Sequence, residues 1–197
     1  MPVRWAYQSE GAKNVGMNVY SGIEYDYDTL LNLKKPHKDL KICSILSDKS
    51  DTKGHRIRKK FTRRYMKRFP LDVYGSFKYS NKDLIMNSKF QTLLKYKYCL
   101  GFDNQDSIND FIGTQFTDAV LSWTVPIFWC GTDLSRYYPE GSFIQFDARD
   151  SDEIDRIQEI VNEDDFDARL PYLQEARNLI LNKYNLWPTL EKIIEGI

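Results

Sequence analysis

Cysteine and histidine are scarce in this chain of 197 residues, and neither sign of charge is in excess. The three cysteines, Cys43, Cys99 and Cys130, are odd in number and show no C-x-x-C spacing, which excludes a disulfide framework and a zinc ribbon. They lie within or at the ends of apolar runs, so buried thiols are expected. The only histidines, His37 and His55, are remote from them in sequence, which argues against a mixed metal cluster. Lys and Arg total 28 and so do Asp and Glu, giving a net charge of zero. Nucleic-acid binding is therefore not expected: the most basic stretch, residues 53–68, reads mainly as a solvated helix face and carries no alternating aromatics on which bases could stack. No apolar run reaches the ~18 residues of a membrane span, and no charged-then-apolar signal region opens the chain. A soluble, cytoplasmic chain with no membrane segment is expected. Internal repeats and low-complexity tracts are also missing.

What is present is enough apolar residue to bury a core, 42% hydrophobic and 14% aromatic. The most informative stretch is 96–147. Residues 98–102 form a short apolar run, as a buried strand would, and break into the polar segment 103–106. From Ile108, the residues Phe111, Ile112, Phe116, Ala119, Val120 and Trp123 recur at three and four residue spacing, which predicts a helix with one buried face. A second apolar run, residues 125–129, follows at once. Strand, helix and strand in succession predict a βαβ unit with a parallel pair. In such sheets ligands sit outside the carboxyl ends of the strands, where a helix amino terminus offers N–H groups and a positive dipole end to phosphate. A phosphorylated ligand is the reading.

Elsewhere the pattern predicts scaffold. Strands are expected at 40–46, 71–74 and 142–146, and helices at 54–69, from about Ser151 as cap, over 166–184, and from Pro188 onward. Residues 1–39 form a leader for which loop or short strands is expected, and 40–197 form the α/β domain. Asp147, Asp150 and Asp152 invite a metal reading through their Asp-x-Asp-like spacing, but a solvated loop and helix start explains them as well. The acidic run 163–167 is read in the same way.

The blocks YKYCLGFDN, FIGTQF, TVPIFWCG and YYPEGSFIQFD, in this order, resemble the donor-binding half of the family 10 glycosyltransferases, the α1,3/4-fucosyltransferases. The family pattern reads roughly YKFxxxFENS, YVTEK, VPxxxG, PxxSFI. Upstream, ICSILSDKSDTKGHRIRKKF is similar to the segment carrying the family's Arg-x-x-Tyr, and places Arg58 and Phe61 on it. The resemblance covers about residues 40–150. It implies a Rossmann-like parallel sheet of the two-domain GT-B type and inverting transfer from a GDP-sugar, GDP-fucose as first guess, to a glycan hydroxyl. No cofactor or metal is implied.

By position in those blocks, the donor-contacting residues would be Arg58, Asp103, Asn104, Gln105, Phe111, Gly113, Thr114 and Gln115. The chain departs from the pattern where charge matters most. Phe111, Ile112, Gly113, Thr114 and Gln115 stand where the family has Tyr, Val, Thr, Glu and Lys, and Cys130 is one residue extra before Gly131. Gln115 in place of Lys removes a cation beside a diphosphate, and a charge-assisted hydrogen bond is about twice as strong as a neutral one. A non-catalytic nucleotide- or glycan-binding relative, or a partner subunit, is the alternative reading. The region ahead of Leu40 is too short for the family's acceptor domain, so a partner chain or a missing upstream domain would bind the acceptor. No general base is assigned, since nothing about Glu10 or Glu24 selects either.

Overall fold

The computed structural model describes residues 25–80, 88–104, 108 and 110–196. In chain order its main elements are helix α1 (Tyr27–Asn32), strand β1 (Leu40–Ile45), helix α2 (Lys53–Met66), strand β2 (Asp72–Tyr74), helix α3 (Lys89–Leu93), strand β3 (Tyr96–Phe102) and helix α4 (Thr114–Leu121). Strand β4 (Val125–Trp129), strand β5 (Ile144–Gln145) and helices α5 (Glu153–Glu163), α6 (Phe166–Asn182) and α7 (Leu186–Glu195) follow. All five strands are parallel, in the order β2-β1-β3-β4-β5. This is the expected α/β architecture with a Rossmann-like parallel sheet.

Strands β3 and β4 are apolar along almost their whole length because both faces of the sheet are covered, as parallel sheets require. On β1, the neighbours Ile42 and Cys43 enter two different apolar clusters, one on each face. Cys43 and Cys99 sit opposite one another on β1 and β3, and with Cys130 they are buried, unpaired thiols. Proline is tolerated at Pro126 because β5 pairs with β4 only from Ile127 onward, leaving a free edge beside it.

The order of the strands creates the crevice. From β1 the chain crosses to β2 on one side of the sheet, then returns past β1 to β3 on the other. Connections therefore part company at the carboxyl ends of β1 and β3, the place where open α/β sheets receive ligands.

At the opposite, amino-terminal end two basic side chains are buried without carboxylate partners among the described residues, and burial lowers the Lys38 pKa to about 7. The Lys38 ammonium, on a side chain 5% exposed, donates among Leu93 O, Leu94 O, Tyr96 O, Ser122 O and Thr124 Oγ1, all within 3.2 Å. Arg177 of α6 donates to Leu121 O and to Leu30 O, and lies over the Trp123 ring. Both side chains sit on the last carbonyls of helices, where unsatisfied C=O groups and the negative dipole end favour positive charge.

Three expectations are corrected. Within the leader, where loop or short strands is expected, Tyr27–Asn32 is helical, because the Asp26 side chain caps it by accepting Thr29 N–H and Leu30 is buried beneath it. Helix α4 starts at Thr114 and not near Ile108: Asp110 has φ 58°, which breaks a right-handed helix, and Ile108 is 45% exposed. Ser151 does not cap α5 through its side chain, as Asp152 holds the N-cap position and Ile154 N–H bonds the Ser151 carbonyl instead. Asp147 grips Arg149 and Asp150 accepts the Asp152 N–H, so the acidic cluster is held as a loop. Among the described residues no helix is long and apolar enough to cross a membrane.

Candidate functional site

A cavity of about 520 Å³ opens at the switch point, walled by the loop after β1, the first turns of α2 and α4, the end of β3 and Lys89 of α3. Seven of the eight residues expected there line it: Arg58, Asp103, Asn104, Phe111, Gly113, Thr114 and Gln115. The eighth, Gln105, lies outside the described residues, as do Glu10 and Glu24.

Arg58 arrives on the buried face of α2, with Phe61 and Tyr65 continuing that face. It is 4% exposed; Nη1 donates to Asn104 Oδ1 at 2.8 Å and Nη2 to Ser47 Oγ at 2.9 Å, while Nε has no partner. Burial lowers its pKa from the ordinary arginine value. The helix that carries it begins with a capping box, in which Thr52 Oγ1 accepts His55 N–H and His55 Nδ1 accepts Thr52 N–H. His55 is therefore turned inward, 6% exposed, in contrast to the solvated face expected for its basic neighbours. Burial, followed by the Arg58 charge, holds its imidazole below the usual value.

Asp103 follows β3 directly and is 3% exposed. Its Oδ1 accepts the Gly113 N–H at 3.0 Å and its Oδ2 has no partner. Burial pushes the carboxyl up to about 7, against the opposing pull of the Gly113 N–H. Gly113 is required here by space alone, since a Cβ would stand 2.1 Å from Asp103 Oδ1. Gly113 is the N-cap of α4 and no side chain caps the helix; the Phe116 N–H bonds the Gly113 carbonyl at 3.1 Å, while those of Thr114 and Gln115 have no acceptor within the helix.

Gln115 is occupied on both sides. Its Oε1 accepts Phe102 N–H at 3.1 Å and its Nε2 donates to Ile45 O at 2.8 Å, so the amide bridges the ends of β3 and β1. Lys89 adds a cation at the cavity wall, paired with Asp118 one turn into α4. Ser47, Thr52, His55 and Lys89 are lining residues that sequence reasoning did not single out; the T-x-x-H spacing of the capping box is the one signal that could have found His55. Chemically, the cavity joins open helix N–H groups, Arg58, Lys89 and a polar amide, the set that receives an anionic, oxygen-rich ligand.

Residues 35–173 match the model of glycosyltransferase family 10 (fucosyltransferase), C-terminal part. Among solved structures, the chain is similar to a crystal structure of an α1,3-fucosyltransferase at 24% identity and a TM-score of 0.55, covering 70% of this chain and 38% of that one. A second α1,3-fucosyltransferase structure, with GDP-fucose, aligns at 17% identity and a TM-score of 0.44 over 80% of this chain and 40% of that one. The chain thus spans about two-fifths of the length of these structures. Among curated proteins, none matches it.

Proposed function

Because the chain belongs to glycosyltransferase family 10, in its fucosyltransferase C-terminal part, we propose that it binds a GDP-sugar at the β1–β3 switch point, as the donor half of a glycosyltransferase. The sugar passes to a glycan hydroxyl with inversion and without a bound metal, and GDP-fucose is the first donor to test. The acceptor and the general base belong to a further domain or a partner chain. The observation that carries this reading is the convergence of Arg58, Asn104 and the open amino terminus of α4 on one cavity. Helix N–H groups and the dipole bind phosphate without a lysine at position 115. The cytoplasm is the proposed location, where three unpaired thiols are in keeping with a reducing compartment.

Titration calorimetry with GDP and GDP-fucose tests it. Binding is expected, and Arg58→Ala weakens it by about tenfold or more, since a charged hydrogen-bond donor is lost. A purified chain that binds neither ligand at millimolar concentration would sink the reading. A second reading, a relative that binds donor without transferring it, is favoured by one observation: the Gln115 amide is tied to main chain at both ends. Binding of GDP with neither hydrolysis nor transfer of GDP-fucose would select it.

A further inference from the structure

Two donors meet on one oxygen in the wall of the cavity. His55 Nδ1 accepts the Thr52 N–H at 3.3 Å, and an imidazole nitrogen that accepts carries no proton. In the neutral ring the proton is then on Nε2, which lies 2.9 Å from Asn104 Oδ1. Arg58 Nη1, a donor in every state, reaches the same oxygen at 2.8 Å. Turning the Asn104 amide over would set its NH₂ group against two donors, so the network allows only one orientation. The Asn104 backbone is held as well, its carbonyl accepting from Thr52 Oγ1 at 2.8 Å. Asn104 is exposed, lines the cavity, and its Nδ2 has no partner among the described residues.

We infer that His55 is a positioning residue: with Arg58 it locks the Asn104 amide so that the NH₂ group is offered to an acceptor oxygen of the nucleotide. The identity of that ligand rests on the proposed donor site. The part of His55 is to fix the polarity of Asn104, which makes this point of the cavity a donor and discriminates against ligand groups that can only donate.

Nitrogen NMR of the full chain reads the clamp without any nucleotide. A neutral His55 ring protonated on Nε2 is expected at pH 7, and a ring protonated on Nδ1 overturns the inference. Calorimetry with GDP reads the consequence. Asn104→Asp keeps oxygens for Arg58 and His55, so the thermal midpoint should hold or rise, yet it exchanges the NH₂ group for an oxygen, and the GDP Kd should weaken by about tenfold or more. His55→Leu should weaken GDP by a similar factor, read well below its lowered melting point, and His55→Gln, which keeps a donor, should recover part of it. Unchanged GDP affinity in both Asn104→Asp and His55→Leu overturns the inference. A wild-type chain that binds no GDP overturns the donor-site reading and the ligand assigned to Asn104 together, while the ring tautomer still stands or falls by its nitrogen spectrum.

Discussion

Gln115 and Asp103 show how the single residue serves both fold and cavity. Gln115 accepts from one strand end and donates to the other, something a lysine, with donors only, cannot reproduce. Gln115→Lys leaves the Phe102 N–H without an acceptor, so urea unfolding should show a loss of about 1–3 kcal/mol. Asp103 carries the opposite tension, a buried carboxyl whose folded pKa of about 7 stands above its ordinary 3.8. Between those values the folded chain holds a proton that the unfolded chain has released, so this group's contribution to stability falls as pH rises from about 4 to about 7 and is flat above. Each unit is worth about 1.4 kcal/mol. Asp103→Asn keeps the acceptor for Gly113 and has nothing to ionise; its melting point relative to wild type should therefore rise by several degrees from pH 4.5 to pH 8. A difference that does not change with pH would show that Asp103 ionises as freely in the fold as outside it.

At the level of elements, β3 and β4 were largely legible because they are buried on both faces and so read as nearly continuous apolar runs, whereas only the centre of β1, from Ile42 to Ser44, is buried. The site followed from them, since the residues after β3 and at the start of α4 stand where an apolar run gives way to polar loop. Less could be read where tertiary contacts decide. The apolar spacing from Ile108 continues a helical pattern through residues that are not helical, and only the left-handed Asp110 and the grip of Asp103 on Gly113 set the true start of α4. Helix α3, five residues long, is too short to show a period. His55 sits among basic neighbours of the same hydropathy, so no pattern marks the one ring that turns inward. Lys38 was hidden in the same way, a charge in a polar leader that proves to be buried. Lys38→Met should cost on the order of 3 kcal/mol in denaturant unfolding, because the carbonyls at the ends of α3 and α4 lose their hydrogen-bond donor in a place that water does not reach.

For the molecule as a whole, the two ends of the sheet are treated differently. At the cavity end the first turn of α4 has free N–H groups, whereas at the other end Lys38 and Arg177 close the helix carbonyls. The closing contacts also hold the segment that leads into β1. Arg177 donates to Leu30 O, Trp123 Nε1 donates to Leu33 O at 2.9 Å, and Lys38 is anchored by five oxygens. Three such attachments within nine residues make the segment from α1 to Lys38 a strut and not a tether. Backbone order parameters measured by NMR across residues 27–40 should accordingly match those of the sheet, about 0.85; values under about 0.6 would mean a flexible arm. Mechanically, a force or a twist applied at α1 would then pass into the base of β1 and β3 instead of dissipating in slack chain, and the cavity would tilt with it.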